Sequence, residues 1–363
     1  MEVCSRCILP ETFPGIEFDK EGVCNICRQF EEENASSSAF FTDEQDLKSV
    51  LDGWKDKSRK YDVLVPASGG VDSSFTLVKL VETYGLRPLV YHNDHGYENA
   101  TATENVRKLC SALDVDLIFW QYDAPFMRKL WKYLNAHFLE DTSACYMCGN
   151  MLYLNAIELA HRFNIPLVVN GYSKGQADLI GDKEKGRERF ENMMALMAHD
   201  REFFGELTRK YEYLGKQKIF ERREDLEYPE SLDKILVLPF FVFHFYKTDK
   251  SLLREECRRR FDWQPQGTNY PKRTTNCRMI WLNTYMDLKK MGYSVYHAEY
   301  SRLIREGEIT RTQALSDLAF DPPENIVQEL AVEIGVDIHA TPAAVKKVNI
   351  SASNPGEEDD FAF

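Results

Sequence analysis

The chain has 363 residues, of which 44% are apolar and 28% are charged, a composition typical of a globular protein with a sizeable core. It contains no run of 18 apolar residues, so the sequence predicts no transmembrane helix. The net charge of −13 argues mildly against a large RNA substrate, because nucleic-acid binding is usually carried by a basic surface.

Short apolar runs alternate with segments of helical periodicity from residue 61 onward, after a cysteine-bearing module at 1–30 and a polar helical connector at 31–60. This alternation predicts an α/β fold in which a parallel sheet has helices on both faces. The predicted strands are Tyr61–Pro66, Pro88–His92, Asp116–Trp120, Ile165–Val169 and a run from Ile235, and the predicted helices are Ser73–Tyr84, Thr101–Leu113, Phe126–Phe138 and Met151–Phe163.

The rest of the chain predicts three further segments. A charged helical insertion or lid occupies about 182–230, within a main domain that spans 61–280. A helical C-terminal region follows at 281–338. Residues 339–363 contain Ser, Asn, Pro, Gly and a run of four acidic residues, which predicts a flexible acidic tail.

One glycine-rich segment lies between the first predicted strand and the first predicted helix of the sheet. Its two glycines let the backbone turn sharply and approach a phosphate, and the helix that follows favours anions at its first turn. Asp72 could hold a Mg²⁺ ion that neutralises a leaving pyrophosphate. No Gly-Lys-Ser/Thr follows the glycines, so this is not a Walker A loop. The segment reads Ala67-Ser68-Gly69-Gly70-Val71-Asp72-Ser73-Ser74.

This S-G-G-x-D-S pattern resembles the signature of the PP-loop ATP pyrophosphatases. The resemblance implies that ATP is cleaved between its α- and β-phosphates, with Ser68, Gly69, Gly70, Asp72 and Ser73 binding pyrophosphate and Ser74 adding a donor. It also places adenine and ribose contacts at the end of the second strand, around Asn93. We expect His92 and His95 in that stretch to be structural rather than catalytic.

Nine cysteines occur, and six of them form C-x-x-C pairs. The N-terminal residues lack the features of a secretory signal, so we expect a cytoplasmic protein whose cysteines serve metal or redox chemistry rather than disulfides. Two of the pairs have the spacing of a four-cysteine structural zinc site, in a module that we expect to resemble a zinc ribbon. These ligands are Cys4, Cys7, Cys24 and Cys27.

The third pair, Cys145 and Cys148, precedes the helix that leads to the fourth predicted strand, and Cys277 lies far downstream. Three thiolates could bind a [4Fe-4S] cluster and leave one iron open for sulfide or substrate. We expect the three to converge near the phosphate loop, at the carboxyl edge of the sheet. Alternatively, Cys145 and Cys148 are core or zinc-binding residues and Cys277 is incidental.

Two enzyme families share parts of this pattern. Cys4-Ser5-Arg6-Cys7-Ile8-Leu9-Pro10 and the stretch Ile304–Arg311 resemble N-acetyl sugar amidotransferases, which implies ammonia transfer with ammonia from a glutaminase partner. The order of zinc module, phosphate loop, C-x-x-C and later single cysteine resembles the tRNA thiolation enzymes. That resemblance implies a cluster on Cys145, Cys148 and Cys277. Of a further element of those enzymes after the fourth strand, only Gly171 and Asp178 could be counterparts.

Both resemblances imply one mechanism, in which ATP activates a carbonyl or amide oxygen and AMP then leaves in favour of sulfide or ammonia. The sequence favours sulfur transfer to a small molecule over tRNA thiolation, with a sulfur-donor protein as partner. An amidotransferase with a glutaminase partner is the alternative. A nucleotide-binding regulatory protein without turnover is the second alternative. The implied cofactors are ATP, Mg²⁺ and Zn²⁺, with [4Fe-4S] and a homodimer left open.

Overall fold

The computed structural model describes residues 2–32, 43–139, 142–171, 183–211, 219–220, 235–239, 250–267, 269–272, 274 and 277–346. A six-stranded sheet in which all paired strands are parallel forms the centre of this part of the chain. Its strands are β1 (Val63–Pro66), β2 (Pro88–Asp94), β3 (Asp116–Gln121), β5 (Leu167–Asn170), β6 (Ile219–Phe220) and β7 (Ile235–Pro239), while β4 (His137–Phe138) pairs with β8 (Ala343–Ala344) in a separate sheet.

The six strands are arranged in the order β3-β2-β1-β5-β7-β6. The chain therefore moves outward from β1 through β2 to β3, and then returns to the other side of β1 to form β5. In open parallel sheets, ligands bind at the carboxyl ends of the strands where the order reverses. The topology thus predicts a ligand crevice at the ends of β1 and β5.

Thirteen α-helices in the described part of the chain surround the sheet, and a π-helical turn, Lys79–Thr83, continues the third of them. Many of them begin at a side chain that accepts a hydrogen bond from a first-turn amide, as Asp43, Asn99, Asp123, Ser143 and Thr310 do. The helices are α1 (Asn25–Glu32), α2 (Glu44–Trp54), α3 (Val71–Val78), α4 (Ala100–Leu113), α5 (Ala124–Ala136), α6 (Ala144–Arg162), α7 (Lys183–Ala198), α8 (Arg201–Lys210), α9 (Lys250–Phe261), α10 (Ile280–Met291), α11 (Tyr296–Arg305), α12 (Arg311–Asp317) and α13 (Ile326–Ile334).

Alternate residues of the strands pack into two separate cores. In β1, Val63 and Val65 pack with α2, α3, α4 and α9, while Leu64 packs with α5, α6, α7 and the C-terminal helices. Successive side chains of a strand point to opposite faces of the sheet. A strand that is buried on both faces therefore needs apolar residues at every position. The predicted fold class, a parallel sheet with helices on both faces, is confirmed.

Two segments that were predicted from their polar or charged composition also contribute buried residues to the cores. The predicted connector contains α2, which buries Leu47, Leu51 and Trp54 against the sheet. The predicted charged insertion contains α7 and α8, and Met193 and Met197 of α7 lie in the main core. Most of the predicted acidic tail, from residue 347 onward, lies outside the described residues.

The helix that leads to β5 begins earlier than predicted. The expected start was Met151, but α6 begins at Ala144, because the Ser143 side chain accepts a hydrogen bond from the Cys145 amide and caps the helix. Cys145 and Cys148 therefore belong to the first turns of α6 instead of preceding it. None of the helices that the structure describes has both the length and the apolar composition needed to span a bilayer.

The end of β5 packs directly against the start of α3. A Cβ atom added to Gly171 would lie 2.6 Å from Ser73 Cα and 3.0 Å from Ser73 N, far inside van der Waals contact. Both partners are backbone, so neither can rotate away. Glycine at position 171 is therefore required for the phosphate-loop helix to approach the strand.

We expect Gly171→Ala to lower the free energy of unfolding by about 1–3 kcal/mol, the usual cost of overpacking. The control is Gly149→Ala, which lies exposed in α6, where an added Cβ meets no atom within 4 Å. That change should leave stability unchanged or raise it by about 0.5–1 kcal/mol. Urea denaturation followed by circular dichroism measures both, and equal midpoints for the two variants would contradict the close approach.

Candidate functional site

The loop between β1 and α3 is fixed by its first glycine. Gly69 has φ +77°, and a Cβ atom at this position would lie 2.0 Å from the backbone oxygen of Ala102. The Gly69 carbonyl accepts hydrogen bonds from Trp263 Nε1 at 2.9 Å and from Asn105 Nδ2 at 3.2 Å. Only glycine allows this conformation and this approach, and the two donors hold the loop in one position.

The two serines nearest the glycines hold each other. Ser68 N donates to Ser73 Oγ at 3.2 Å, and the two hydroxyls are also 3.2 Å apart. The buried Ser74 hydroxyl has no hydrogen-bond partner among the described residues. Gly70, the N-cap of α3, contributes no side-chain cap. The first amides of α3 and the Ser74 hydroxyl are therefore available to an anion at the end of the helix where the dipole favours one.

The carboxyl end of β5 closes the other side of this crevice. Asn170 is buried, its Nδ2 has no partner among the described residues, and Gly171 touches Ser73 as described above. Asp72, the second residue of α3, is partly exposed beside them. The structure thus brings Ser68, Gly69, Gly70, Asp72, Ser73, Ser74 and Gly171 together where the strand order reverses.

The end of β2 contains one structural histidine and one buried amide. His92 uses both ring nitrogens, with Nδ1 2.7 Å from the Ala67 carbonyl and Nε2 3.1 Å from Thr103 Oγ1. Its predicted structural role therefore agrees with its contacts. Asn93 Oδ1 accepts a hydrogen bond from the Tyr91 hydroxyl at 3.0 Å, and Asn155 Nδ2 donates to that hydroxyl at 2.9 Å. Asn93 is thus held rigidly beside the loop.

The three other predicted site cysteines converge on one recess. Cys145 and Cys148 on α6 and Cys277 before α10 interact electrostatically with one another and belong to the edge of the same core. Each of the three residues is partly exposed, and the region around them is called the cysteine recess below. Burial raises the pKa of both Cys145 and Cys277. Buried thiols with raised pKa are poor nucleophiles unless a metal takes up their negative charge.

One of these thiols is held by a polar side chain from the C-terminal region. Asn283 Nδ2 donates to Cys145 Sγ at 3.4 Å, and Asn283 Oδ1 accepts from Asn135 Nδ2 at 3.1 Å. The second bond fixes the orientation of the amide, so that its N–H group points at the sulfur. A donor aimed at a sulfur stabilises the thiolate form, which is the form that binds metals.

His95 is a member of this recess that the sequence analysis did not include. It is only 2% exposed, Nε2 lies 2.8 Å from Glu98 Oε1, and Cys148 and Cys277 interact with its ring. Burial lowers the pKa of His95, but Cys148, Glu98 and Cys277 together raise it well above its ordinary value. The expectation that His95 is only structural is therefore not supported by its surroundings. A His-x-x-Glu spacing at the end of a strand was the available signal.

The N-terminal cysteines form a separate, buried tetrad. The sulfurs of Cys4, Cys7, Cys24 and Cys27 all lie within 4.8 Å of one another, the only such group of three or more metal-binding side chains in the described chain. Cys7 Sγ and Cys24 Sγ are 3.8 Å apart, which matches the roughly 3.8 Å expected between thiolates on a tetrahedral zinc ion. Backbone amides of Cys7, Leu9, Cys24 and Cys27 point at these sulfurs.

The tetrad is attached to the C-terminal helices by one arginine. Arg311 donates from Nε to the Cys7 carbonyl at 2.8 Å and from Nη2 to the Cys4 carbonyl at 3.2 Å. Ile8 N also donates to Ser301 Oγ at 3.3 Å. The cysteine module and the C-terminal region therefore share one interface. Lys272, five residues before Cys277, is exposed, whereas Arg273 and Asp178 lie outside the described residues.

Neither a protein-family model nor a curated protein matches this chain. Among solved structures, it is similar to the U34-tRNA thiolase NcsA from Methanococcus maripaludis with its [4Fe-4S] cluster, at 12% identity and TM-score 0.36, covering 98% of this chain and 94% of that one. It is also similar to the NH₃-dependent NAD synthetase from Campylobacter jejuni, at 13% identity and TM-score 0.28, covering 50% and 100% of the two chains.

A third similar structure is the NMN synthetase from Francisella tularensis, at 12% identity and TM-score 0.29, covering 62% of this chain and 95% of that one. All three proteins belong to the PP-loop ATP pyrophosphatase superfamily, which the Ser68–Ser74 motif resembles. At these TM-scores the likeness carries no argument about the site or its chemistry. The proposals below therefore rest on the residues of this chain.

Arg311→Lys keeps the charge but loses the two-pronged contact with the cysteine module. We expect it to lower the free energy of unfolding by about 1–2 kcal/mol and to speed metal loss to a chelator. The control is Arg162→Lys, whose side chain is 62% exposed and pairs with Glu158 of the same helix. That change should stay within about 0.5 kcal/mol. Equal stability and equal metal loss in both variants would contradict the role of Arg311.

Proposed function

We propose that this protein is an enzyme that uses ATP to adenylate a carbonyl or amide oxygen of its substrate and then transfers sulfur to the activated carbon. The proposal rests on the positions of the phosphate loop and the cysteine recess. The anion-ready loop and the cysteine recess both lie at the carboxyl ends of neighbouring strands. Tyr91, whose hydroxyl donates to Asn93, also interacts electrostatically with Cys148.

The loop residues would hold and stabilise the leaving pyrophosphate. The amides at the start of α3 and the Ser74 hydroxyl donate to phosphate oxygens, and Asp72 binds the Mg²⁺ ion that offsets their charge. The substrate oxygen attacks the α-phosphorus and the bond to the bridging oxygen breaks, which releases pyrophosphate and leaves AMP on the substrate. Asn93, at the end of β2, would contact the nucleoside.

The recess supplies the second half of the reaction. In the described chain, Cys145, Cys148 and Cys277 do not come close enough together to share a single ion as the N-terminal tetrad does. A four-iron cluster spreads its thiolates more widely, and a three-cysteine donor set is suited to it. When bound, such a cluster would supply the sulfur chemistry. Asn283 would stabilise Cys145 as a thiolate, and burial would exclude water from the activated substrate.

The competing function is ammonia transfer to an activated sugar, with a glutaminase as partner. The two stretches that resemble the sugar amidotransferases meet through Arg311, which donates to the carbonyls of Cys4 and Cys7. This contact gives both stretches a structural role, so their resemblance to the amidotransferases does not by itself favour ammonia over sulfide. A small-molecule substrate, a sulfur-donor protein, a structural zinc ion, cytoplasmic location and a homodimer remain predictions.

Asp72→Asn should reduce ATP–pyrophosphate exchange and AMP formation on the order of 100-fold or more, because the leaving group loses its metal ligand. The circular dichroism spectrum should not change. The control is Asp321→Asn, an exposed carboxylate in a loop before α13, which should exchange at the rate of the unchanged protein. An unchanged rate of exchange in Asp72→Asn would contradict the proposal that this loop binds ATP.

Metal and sulfide analysis of protein purified without oxygen separates sulfur from ammonia transfer. We expect one zinc ion and about four iron atoms with acid-labile sulfide per chain. Cys277→Ala should lose the iron, the sulfide and product formation but keep zinc and pyrophosphate exchange. Cys27→Ala should lose zinc, and Cys257→Ala, a buried cysteine of the other core, should lose neither. Zinc alone in the unchanged protein would favour the amidotransferase.

A further inference from the structure

The cysteine recess contains a fourth side chain with the properties of a metal ligand. His95 lies just beyond β2, is 2% exposed, and is 182 residues from Cys277, whose sulfur interacts with its ring. Its Nδ1 atom is buried and has no hydrogen-bond partner among the described residues. A buried polar atom without a partner costs free energy, so its retention points to something that binds there.

The other ring nitrogen of His95 is already committed. Nε2 lies 2.8 Å from Glu98 Oε1, and the Glu98 side chain is only 17% exposed. In its neutral form, which is the form that binds a metal ion, the ring donates its Nε2 hydrogen to the carboxylate and keeps the lone pair on Nδ1. The Trp131 ring packs edge-on against the imidazole at 5.4 Å and 79°, which limits rotation of the ring.

This arrangement is the one that surrounds histidines that bind metals. Such histidines nearly always donate their other N–H group to a carboxylate or carbonyl, which fixes the tautomer and raises the basicity of the ligating nitrogen. The contrast with His92, three residues earlier, is direct. His92 has a partner at each nitrogen, and neither partner is a carboxylate or a cysteine.

We propose that His95, through Nδ1, is the fourth ligand of the iron–sulfur cluster that Cys145, Cys148 and Cys277 hold, with Glu98 orienting the ring. This inference rests on the proposed function for the presence of the cluster, but the three cysteines alone would leave one iron without a protein ligand. A neutral imidazole is a weaker and more exchangeable ligand for iron than a thiolate. The site would then be closed in the resting protein and able to open.

The test uses the full chain, reconstituted without oxygen with ferrous iron and sulfide and then reduced. Pulsed electron paramagnetic resonance should detect a directly coordinated nitrogen, and its coupling should change when the protein is grown with ¹⁵N-histidine. His95→Ala should lose this coupling while Cys145, Cys148 and Cys277 retain a cluster. His161→Ala, an exposed histidine near the end of α6, is the matched control and should keep it.

A second measurement is needed because a water molecule could bind the fourth iron in place of the imidazole in His95→Ala. Oxidation by ferricyanide should convert the His95→Ala cluster to the three-iron form on the order of 10-fold faster or more, since the fourth iron has lost its protein ligand. His95→Cys should restore resistance to oxidation without restoring the nitrogen coupling. Glu98→Gln should keep the coupling but make iron loss faster than in the unchanged protein.

The outcomes separate this inference from the proposed function. A cluster without a coordinated nitrogen in the unchanged protein, or a coupling that survives His95→Ala, overturns the role of His95 and leaves the three-cysteine site standing. Failure of the unchanged protein to take up iron and sulfide overturns both. Loss of the coupling in His95→Ala alone, with faster loss of iron, supports the ligand.

Discussion

The contact between the end of β5 and the start of α3 is the constraint on which the proposed site depends. Strand order reverses between β1 and β5, and the two strands diverge into different connections at their carboxyl ends. Gly171, at the end of β5, lets α3 pack closely against that strand. With the Gly69 carbonyl held by Trp263 and Asn105, the loop has little freedom. Its amides are therefore oriented before any ligand arrives, so binding costs less ordering entropy.

Sequence patterns were sufficient wherever the information is local. The apolar strand runs, the Ser68–Ser74 loop and the spacing of the N-terminal cysteines all depend on residues near each other in the chain, and each predicted feature has the expected position. The start of α6 was missed because Cys145, Cys148 and Gly149 are weak helix formers. The Ser143 cap outweighs that weakness locally, and packing of α6 on the core supplies the rest.

The cysteine recess could be predicted only in part, for a physical reason. Topology predicts Cys148 at the carboxyl edge of the sheet and the resemblance to the thiolation enzymes adds Cys277, but nothing in the sequence brings Asn283 and His95 to the same point. Their environment is set by tertiary contacts between β2, α6 and α10. The raised pKa values of Cys145 and Cys277 arise from that burial. The residue type shows which chemistry a side chain can carry out, whereas its tertiary contacts determine its protonation state.

The union of the cysteine module with the last helices has a consequence for biosynthesis. Arg311 and Cys7 are 304 residues apart, so the ribosome completes the module long before the arginine that binds it. At about 5–20 residues per second, the wait is on the order of 15–60 s. During that time the module must hold itself together through its own contacts, while Ile8 and the apolar surface that it will later bury stay without their final neighbours. If the four cysteines bind zinc as predicted, early capture of the ion would therefore protect the nascent chain.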